Sequence, residues 1–164
     1  MPEFILNDKD TREFQQLPEI TQGFIEAMFF TECEGSLADD TFDPENGSAL
    51  PDEASWLDIG DKNLLDIIEA TTKWAEENSI DLYIATGCIV DGIAYDMVRA
   101  GNDLWYTSNG HGVGFWDREF HTSDGSINEE IGDRLSEAAR AFGETNVFWE
   151  TTDEDECTGI VYVD

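Results

Sequence analysis

The sequence predicts an α+β fold of three to four helices packed on a small, mainly antiparallel sheet of about four strands. Three observations carry that expectation. Apolar residues recur at helical spacing in several stretches between Glu19 and Phe142. Runs rich in aromatic and β-branched residues stand at Leu104–Thr107, Val113–Trp116, Val147–Glu150 and Ile160–Val163. Finally, 164 residues with 40% hydrophobic and 12% aromatic content suffice for a real core, so residues 1–164 read as one domain rather than a disordered acidic tail.

Residues 1–17 are polar apart from Phe4, Ile5, Leu6 and Phe14, and read as an extended arm or short strand. Pro18 suits the first turn of a helix over Glu19–Cys33. Phe24, Met28 and Cys33 lie near one face of that helix, and Ile25, Phe29 and Phe30 widen it. It is too apolar to be solvated all round and belongs in the core. Residues 34–54 change character. Glu34, Asp39, Asp40, Asp43, Glu45, Asp52 and Glu53 stand among Gly, Ser, Pro and Asn without periodicity. This reads as a mobile acidic loop suited to contacting a partner. Its spacing does not fit an EF-hand, which needs Gly at position six and Glu at twelve.

A helical turn over Ser55–Ile59 leads to a helix over Asp61–Asn78, with Asp61 as N-cap. Leu64, Leu65, Ile67, Ile68, Thr71, Trp74 and Ala75 form its buried stripe. Asp66, Glu69, Glu76 and Glu77 face outward, offset only by Lys62 and Lys73. Ser79 caps a further helix over Ile80–Arg99, with Ile84, Cys88, Ile89, Ile93, Met97 and Val98 inside and Asp81, Asp91 and Asp96 outside. Gly101 is the expected stop.

Gly101–Arg118 then reads as a β-hairpin. Leu104–Thr107 and Val113–Trp116 supply the strands, and Asn109-Gly110 supplies the turn. Trp105 and Trp116 are expected to pack inside, and Asp117 to pair with Arg118 and fix the hairpin end. After a turn-rich link, Ser126 caps a helix over Ile127–Phe142. Glu129 and Glu130 sit at its positive end, Glu129, Asp133 and Glu137 form an acidic row on its outer face, and Ile131, Leu135, Ala138, Ala139 and Phe142 line its inner stripe. The last two strands flank a turn that carries Asp153, Glu154, Asp155 and Glu156.

The segment A-G-N-D-L-W-Y-T-S-N-G-H-G-V-G-F-W-D-R, followed by I-G-D-R-L-S-E-A-A-R-A-F-G-E, resembles a family of small acidic phage proteins. Their shared pattern is roughly GHDFWLTRNGHGAGFWDR and then a helix LGxxLTxxAxxFGE. The resemblance covers about Ala100–Val163, with a weaker echo at Gly23–Glu34. Asn102 stands where the family usually has His, and Ser108 where it usually has Arg. The resemblance implies a phage-type origin and a small α+β domain. It implies no activity.

His111 is the obvious catalytic candidate, with Asp103 or Asp117 to orient it and Cys33 or Cys88 as nucleophile. No GxSxG, HExxH, Walker or Rossmann pattern accompanies it. The simpler reading is a hydrogen-bonded turn residue. No metal or cofactor is expected: Cys33, Cys88 and Cys157 are scattered, without CxxC or a Cys/His cluster, and read as reduced cytosolic thiols. No stretch reads as a signal peptide or a membrane span.

Charge is the feature that rises above background. Eight Lys and Arg stand against 38 Asp and Glu, a formal charge of −30. That field repels nucleic acid and anionic membrane and attracts basic surfaces. Thirty charges equal those on about 50 Å of duplex. Spread over a globule of this size, however, they give roughly one per 270 Å². A duplex has about one per 110 Å². A DNA-like surface therefore requires the carboxylates on one side, or an elongated dimer. Adaptation to high salt is an alternative, but the aromatic content suits an ordinary core.

The expected function is thus a non-enzymatic, cytoplasmic inhibitor that mimics DNA and blocks a basic nucleic-acid-binding host protein of defence or repair. The alternatives are an acidic adaptor that binds through the 101–118 surface, and a small hydrolase built on His111.

Overall fold

The computed structural model describes residues 14–33, 50, 54–151 and 157–163. The fold is α+β, and within those residues helices pack mainly on helices. Five α-helices are described: α1 (Glu19–Glu32), α2 (Asp61–Glu77), α3 (Ser79–Thr86), α4 (Met97–Ser108) and α5 (Glu129–Phe142). Two short 3₁₀ turns, Trp56–Asp58 and Phe115–Asp117, join them. The strands form two separate antiparallel ladders rather than one sheet of four. One pairs β1 (Ile89–Val90) with β2 (Ile93–Ala94), and the other pairs β3 (Asn146–Thr151) with β4 (Cys157–Val163).

The buried centre is α1. Ile20, Phe24, Ile25, Ala27, Met28 and Phe29 are all inaccessible, which fits a helix apolar on nearly every side. α4 lies directly against it. A β-carbon on Gly101 would meet the Ile20 carbonyl oxygen at 2.2 Å, and one on Gly23 would meet the Val98 carbonyl oxygen at 1.8 Å. The two backbones can cross this closely only because both positions lack side chains. The Asn102 amide seals the crossing by donating to the Gly23 carbonyl at 2.7 Å. Phe24 meets Trp105 edge-on at 5.3 Å and Phe142 at 5.7 Å, tying α1 to α4 and α5. The Thr21 and Thr71 hydroxyls join α1 to α2 at 2.7 Å. Trp74 Nε1 donates to the Ala138 carbonyl at 3.1 Å, joining α2 to α5.

Several expectations are corrected here. The hairpin over Gly101–Arg118 is absent. Residues 97–108 are helical, residues 109–114 form a loop, and residues 115–117 a 3₁₀ turn. The strand propensity of Leu104–Thr107 is overridden by packing, because Ala100, Gly101, Leu104, Trp105 and Ser108 form a helical stripe against α1. Gly101 is the crossing point of that helix, not its stop. The helix expected over Ile80–Arg99 is broken. It ends at Thr86 with Gly87 as C-cap, and Asp91 (φ 56°) and Gly92 (φ 78°) turn the β1–β2 hairpin. Asp96 then caps α4 by accepting from the Arg99 amide at 2.8 Å.

Smaller corrections follow the same lines. α2 is capped by Gly60 and begins at Asp61. α5 starts at Glu129 under an Asn128 cap, while the Ser126 amide and hydroxyl donate to Asp124. Leu65, Ile84, Ile89 and Ile93, assigned to buried stripes, are exposed, as is Trp116. The helices expected from Glu19 and Asp61 and the strands from Val147 and Ile160 are present.

Candidate functional surface

The motif segment is organised by one buried ion pair. Arg118 Nη2 donates to Asp103 Oδ1 at 2.7 Å, and Arg118 Nε reaches both carboxylate oxygens at 3.1 and 3.2 Å. Tyr95 Oη donates to Asp103 Oδ2 at 2.6 Å. Burial pushes the Asp103 carboxyl up, while the Arg118 fork and the Tyr95 hydroxyl pull it back. Burial also opposes the Arg118 charge, but Asp103 more than compensates and holds it above the ordinary guanidinium value. Burial and the adjacent Asp103 raise Tyr95 well above its usual range, so it remains a donor. The expected Asp117–Arg118 pair is therefore corrected. Arg118 turns inward to Asp103, and Asp117 Oδ1 accepts the Gly114 amide at 2.9 Å, closing the 3₁₀ turn.

His111 sits in the loop after α4, not at a hairpin tip. Its amide donates to the Tyr106 carbonyl at 2.9 Å. Its ring stacks near Trp105 at 6.5 Å and meets Tyr106 edge-on at 6.0 Å. Burial lowers its pKa, which favours neutral imidazole. Asp103 and Asp117 bond to other groups, so the structure does not bring the proposed relay together. Cys33 and Cys88 are both buried, and Cys88 Sγ donates to the Ile84 carbonyl at 3.3 Å. Burial raises the Cys88 thiol pKa. Among the described residues no three His, Cys, Asp or Glu side chains cluster to hold a metal.

Trp105 is fully buried and donates through Nε1 to Thr31 Oγ1 at 2.8 Å. Trp116 is 47% exposed and Val113 38%, so part of the motif faces solvent. Neither exposure was legible locally, because the hairpin in which Trp116 was expected to pack does not form. Asn102 and Ser108 both have structural partners: Asn102 bonds to α1, and Ser108 Oγ donates to the Trp105 carbonyl at 3.3 Å.

The predicted carboxylates divide into three groups. Asp39, Asp40, Asp43, Glu45, Asp52, Glu53, Asp153, Glu154, Asp155 and Glu156 lie outside the described residues, as does nearly all of the expected 34–54 loop. On α2, Asp66, Glu69, Glu76 and Glu77 share one face with Lys62 and Lys73. Lys62 Nζ lies 3.1 Å from Asp66, and Lys73 Nζ 4.0 Å from Glu77. That row is partly neutralised.

On α5, Glu129, Asp133 and Glu137 are exposed at i, i+4 and i+8. None of the three takes part in an ion pair among the described residues. Their neighbour Glu130 is held by Arg134 at 3.3 Å, and Arg134 also reaches Asp81 at 3.0 Å. No family model matches this chain, nor does any curated protein or solved structure.

Proposed function

We propose that this chain is a non-enzymatic, phage-type inhibitor whose carboxylates replace DNA phosphates in the basic groove of a host nucleic-acid-binding protein. The observation that carries the reading is the unpaired row Glu129–Asp133–Glu137 on α5. Successive members rise about 6 Å along a rigid helix, comparable with neighbouring phosphates on one DNA strand. The first lies in the first turn, where the helix dipole favours an anion. Five of the six described cations, Lys62, Lys73, Arg99, Arg118 and Arg134, are engaged by carboxylates elsewhere; the sixth, Arg140, lies on the same face of α5 three residues beyond Glu137, so screening is least at Glu129 and Asp133. The motif resemblance supports a phage source, and the charge of −30 supports a basic partner in the host cytoplasm.

The test is capture from host lysate at low salt with the wild type and with a Glu129→Gln, Asp133→Gln, Glu137→Gln triple variant. The expected result is a nucleic-acid-binding protein that duplex DNA and salt release, and that the triple variant retains weakly. Recovery of no such protein overturns the reading.

One observation favours a second reading, an adaptor that binds through the 101–118 surface: Val113, two residues from His111, and Trp116 are both exposed there. In that case a folded Trp116→Ala variant loses its partner while the α5 triple variant keeps it.

A further inference from the structure

We infer that a second face, formed by α3 and the small ladder beside it, is an apolar docking surface for a basic amphipathic helix. Ile80, Tyr83 and Ile84 stand at i, i+3 and i+4 on α3 and are 77%, 82% and 36% exposed. Leu82 and Ala85, on its other side, are buried. The apolar groups therefore form a ridge pointing away from the core, which is the reverse of an ordinary surface helix.

The ladder that follows α3 in the chain carries a second exposed apolar row. Ile89 pairs with Ala94 on one side and bridges to His121 on the other, and His121 bridges to Ile127. Laterally paired residues project to the same side of a sheet. Ile89 and Ile127, 49% and 45% exposed, thus flank His121 in one row. Arg134 joins Asp81 on α3 to Glu130 on α5 and so sets α3 beside the first turn of α5, which begins two residues after Ile127. This apolar set was invisible while residues 80–99 were read as one helix with Ile84 and Ile89 inside.

What covers the surface follows from its rim. Asp91, Asp96, Glu119, Asp124, Glu129 and Glu130 are all exposed on the adjoining elements. A second copy would bring like rims together, and a nucleic acid or anionic membrane would meet the same repulsion. A helix with an apolar stripe flanked by Lys and Arg meets both features at once: its stripe packs on the Ile80–Tyr83–Ile84 ridge and its cations reach the rim. The inference rests on the basic partner proposed above and adds where that partner is gripped. Apolar contact at this face would add to the affinity that the carboxylates supply.

Two synthetic peptides of equal length and charge test it. One is an amphipathic Leu/Lys helix. The other replaces each Leu with Gln. Binding is followed by fluorescence anisotropy at low and high salt against the wild type, an Ile80→Ser, Tyr83→Ser variant, and a Leu65→Ser control that alters an exposed apolar residue on α2.

The expected result is that the Leu/Lys helix binds at least tenfold tighter than its Gln counterpart, and that the double variant erases most of that difference while Leu65→Ser leaves it intact. Equal binding of both peptides overturns the docking surface and leaves the electrostatic reading standing. Binding of neither overturns both. A wild-type dimer in sedimentation that Tyr83→Ser dissociates assigns the ridge to a second copy and overturns the inference.

Discussion

Asp103 and Arg118, fifteen residues apart in sequence, meet as a two-pronged ion pair in which the carboxylate is 1% exposed. The pair ties α4 to the end of the 3₁₀ turn and so fixes the loop that carries His111 and Trp116. Removing one partner leaves an uncompensated charge in the interior. Arg118→Met is expected to lower stability by about 3–5 kcal/mol in urea unfolding. Replacing both, with Asp103→Asn and Arg118→Met, should cost less than the Arg118 change alone. A double variant as unstable as the sum of the two single ones would show that the groups do not act together.

The crossing of α1 and α4 gives a steric prediction. Gly101→Ala places a methyl group 2.2 Å from a backbone oxygen, and neither helix can give locally. A loss of about 1–3 kcal/mol or more is expected. Gly112→Ala meets no atom within 4 Å and serves as the control, with a change of about 0.5 kcal/mol or less.

Thr31 is the acceptor for buried Trp105 Nε1 and in turn donates to the Ala27 carbonyl at 3.1 Å. Thr31→Val keeps the shape but strands the indole N–H. It should cost about 1–3 kcal/mol, and Thr31→Ser should restore most of it. Equal stability of the Val and Ser variants would separate the tryptophan from this bond.

Glu26 and Glu32, half-buried on α1, have pKa values raised by burial; for Glu26 the Asn102 side chain works in the opposite sense. A carboxyl that is harder to ionise when folded binds more protons in the native state. Stability therefore increases as pH falls from neutrality through the folded pKa values toward the ordinary glutamate value of 4.5. Relief of self-repulsion among the surface carboxylates acts in the same direction. Thermal melts should show Tm rising between pH 7 and about pH 5, in steps of about 2–4 °C per kcal/mol. Glu32→Gln should raise Tm at pH 7 and flatten the rise. A Tm that falls steadily over this range would contradict both.

What could be read in the chain depended on whether local and tertiary preferences agreed. α1, α2 and α5 carry their own stripes and stops, and the sequence places them within a few residues. The region from Ile80 to Arg118 misleads because its strongest local signals compete. Asp91-Gly92 turns a real hairpin, yet it sat inside an apparent helical stripe. Asn109-Gly110 looks like a hairpin turn, yet it ends a helix whose Leu104–Thr107 run favours strands. Only contact with Gly23 and Phe24 decides that competition, and such contact has no local signature. Surface charge was readable by type. Its partial cancellation on α2 could also be read, since Lys62–Asp66 and Lys73–Glu77 are four residues apart. The inward turn of Arg118 could not.

The loop after α4 also governs how the protein ages. Asn-Gly is the dipeptide most prone to deamidation, because the glycine amide can attack the preceding side-chain carbonyl. In Asn109 that side chain is engaged at both ends. Its nitrogen donates to the Trp105 carbonyl at 3.0 Å and to Ser108 Oγ at 3.2 Å, and its oxygen accepts the Thr145 amide at 2.9 Å. The attacking Gly110 amide is itself bonded to the Thr107 carbonyl at 3.3 Å. Folding thus guards a bond that unfolding exposes. Deamidation would turn a donor aimed at two oxygens into an anion facing them, so each molecule damaged while unfolded would refold less readily. Peptide mapping of heat-stressed material should show deamidation of Asn109 accumulating, a chemical record of time spent unfolded.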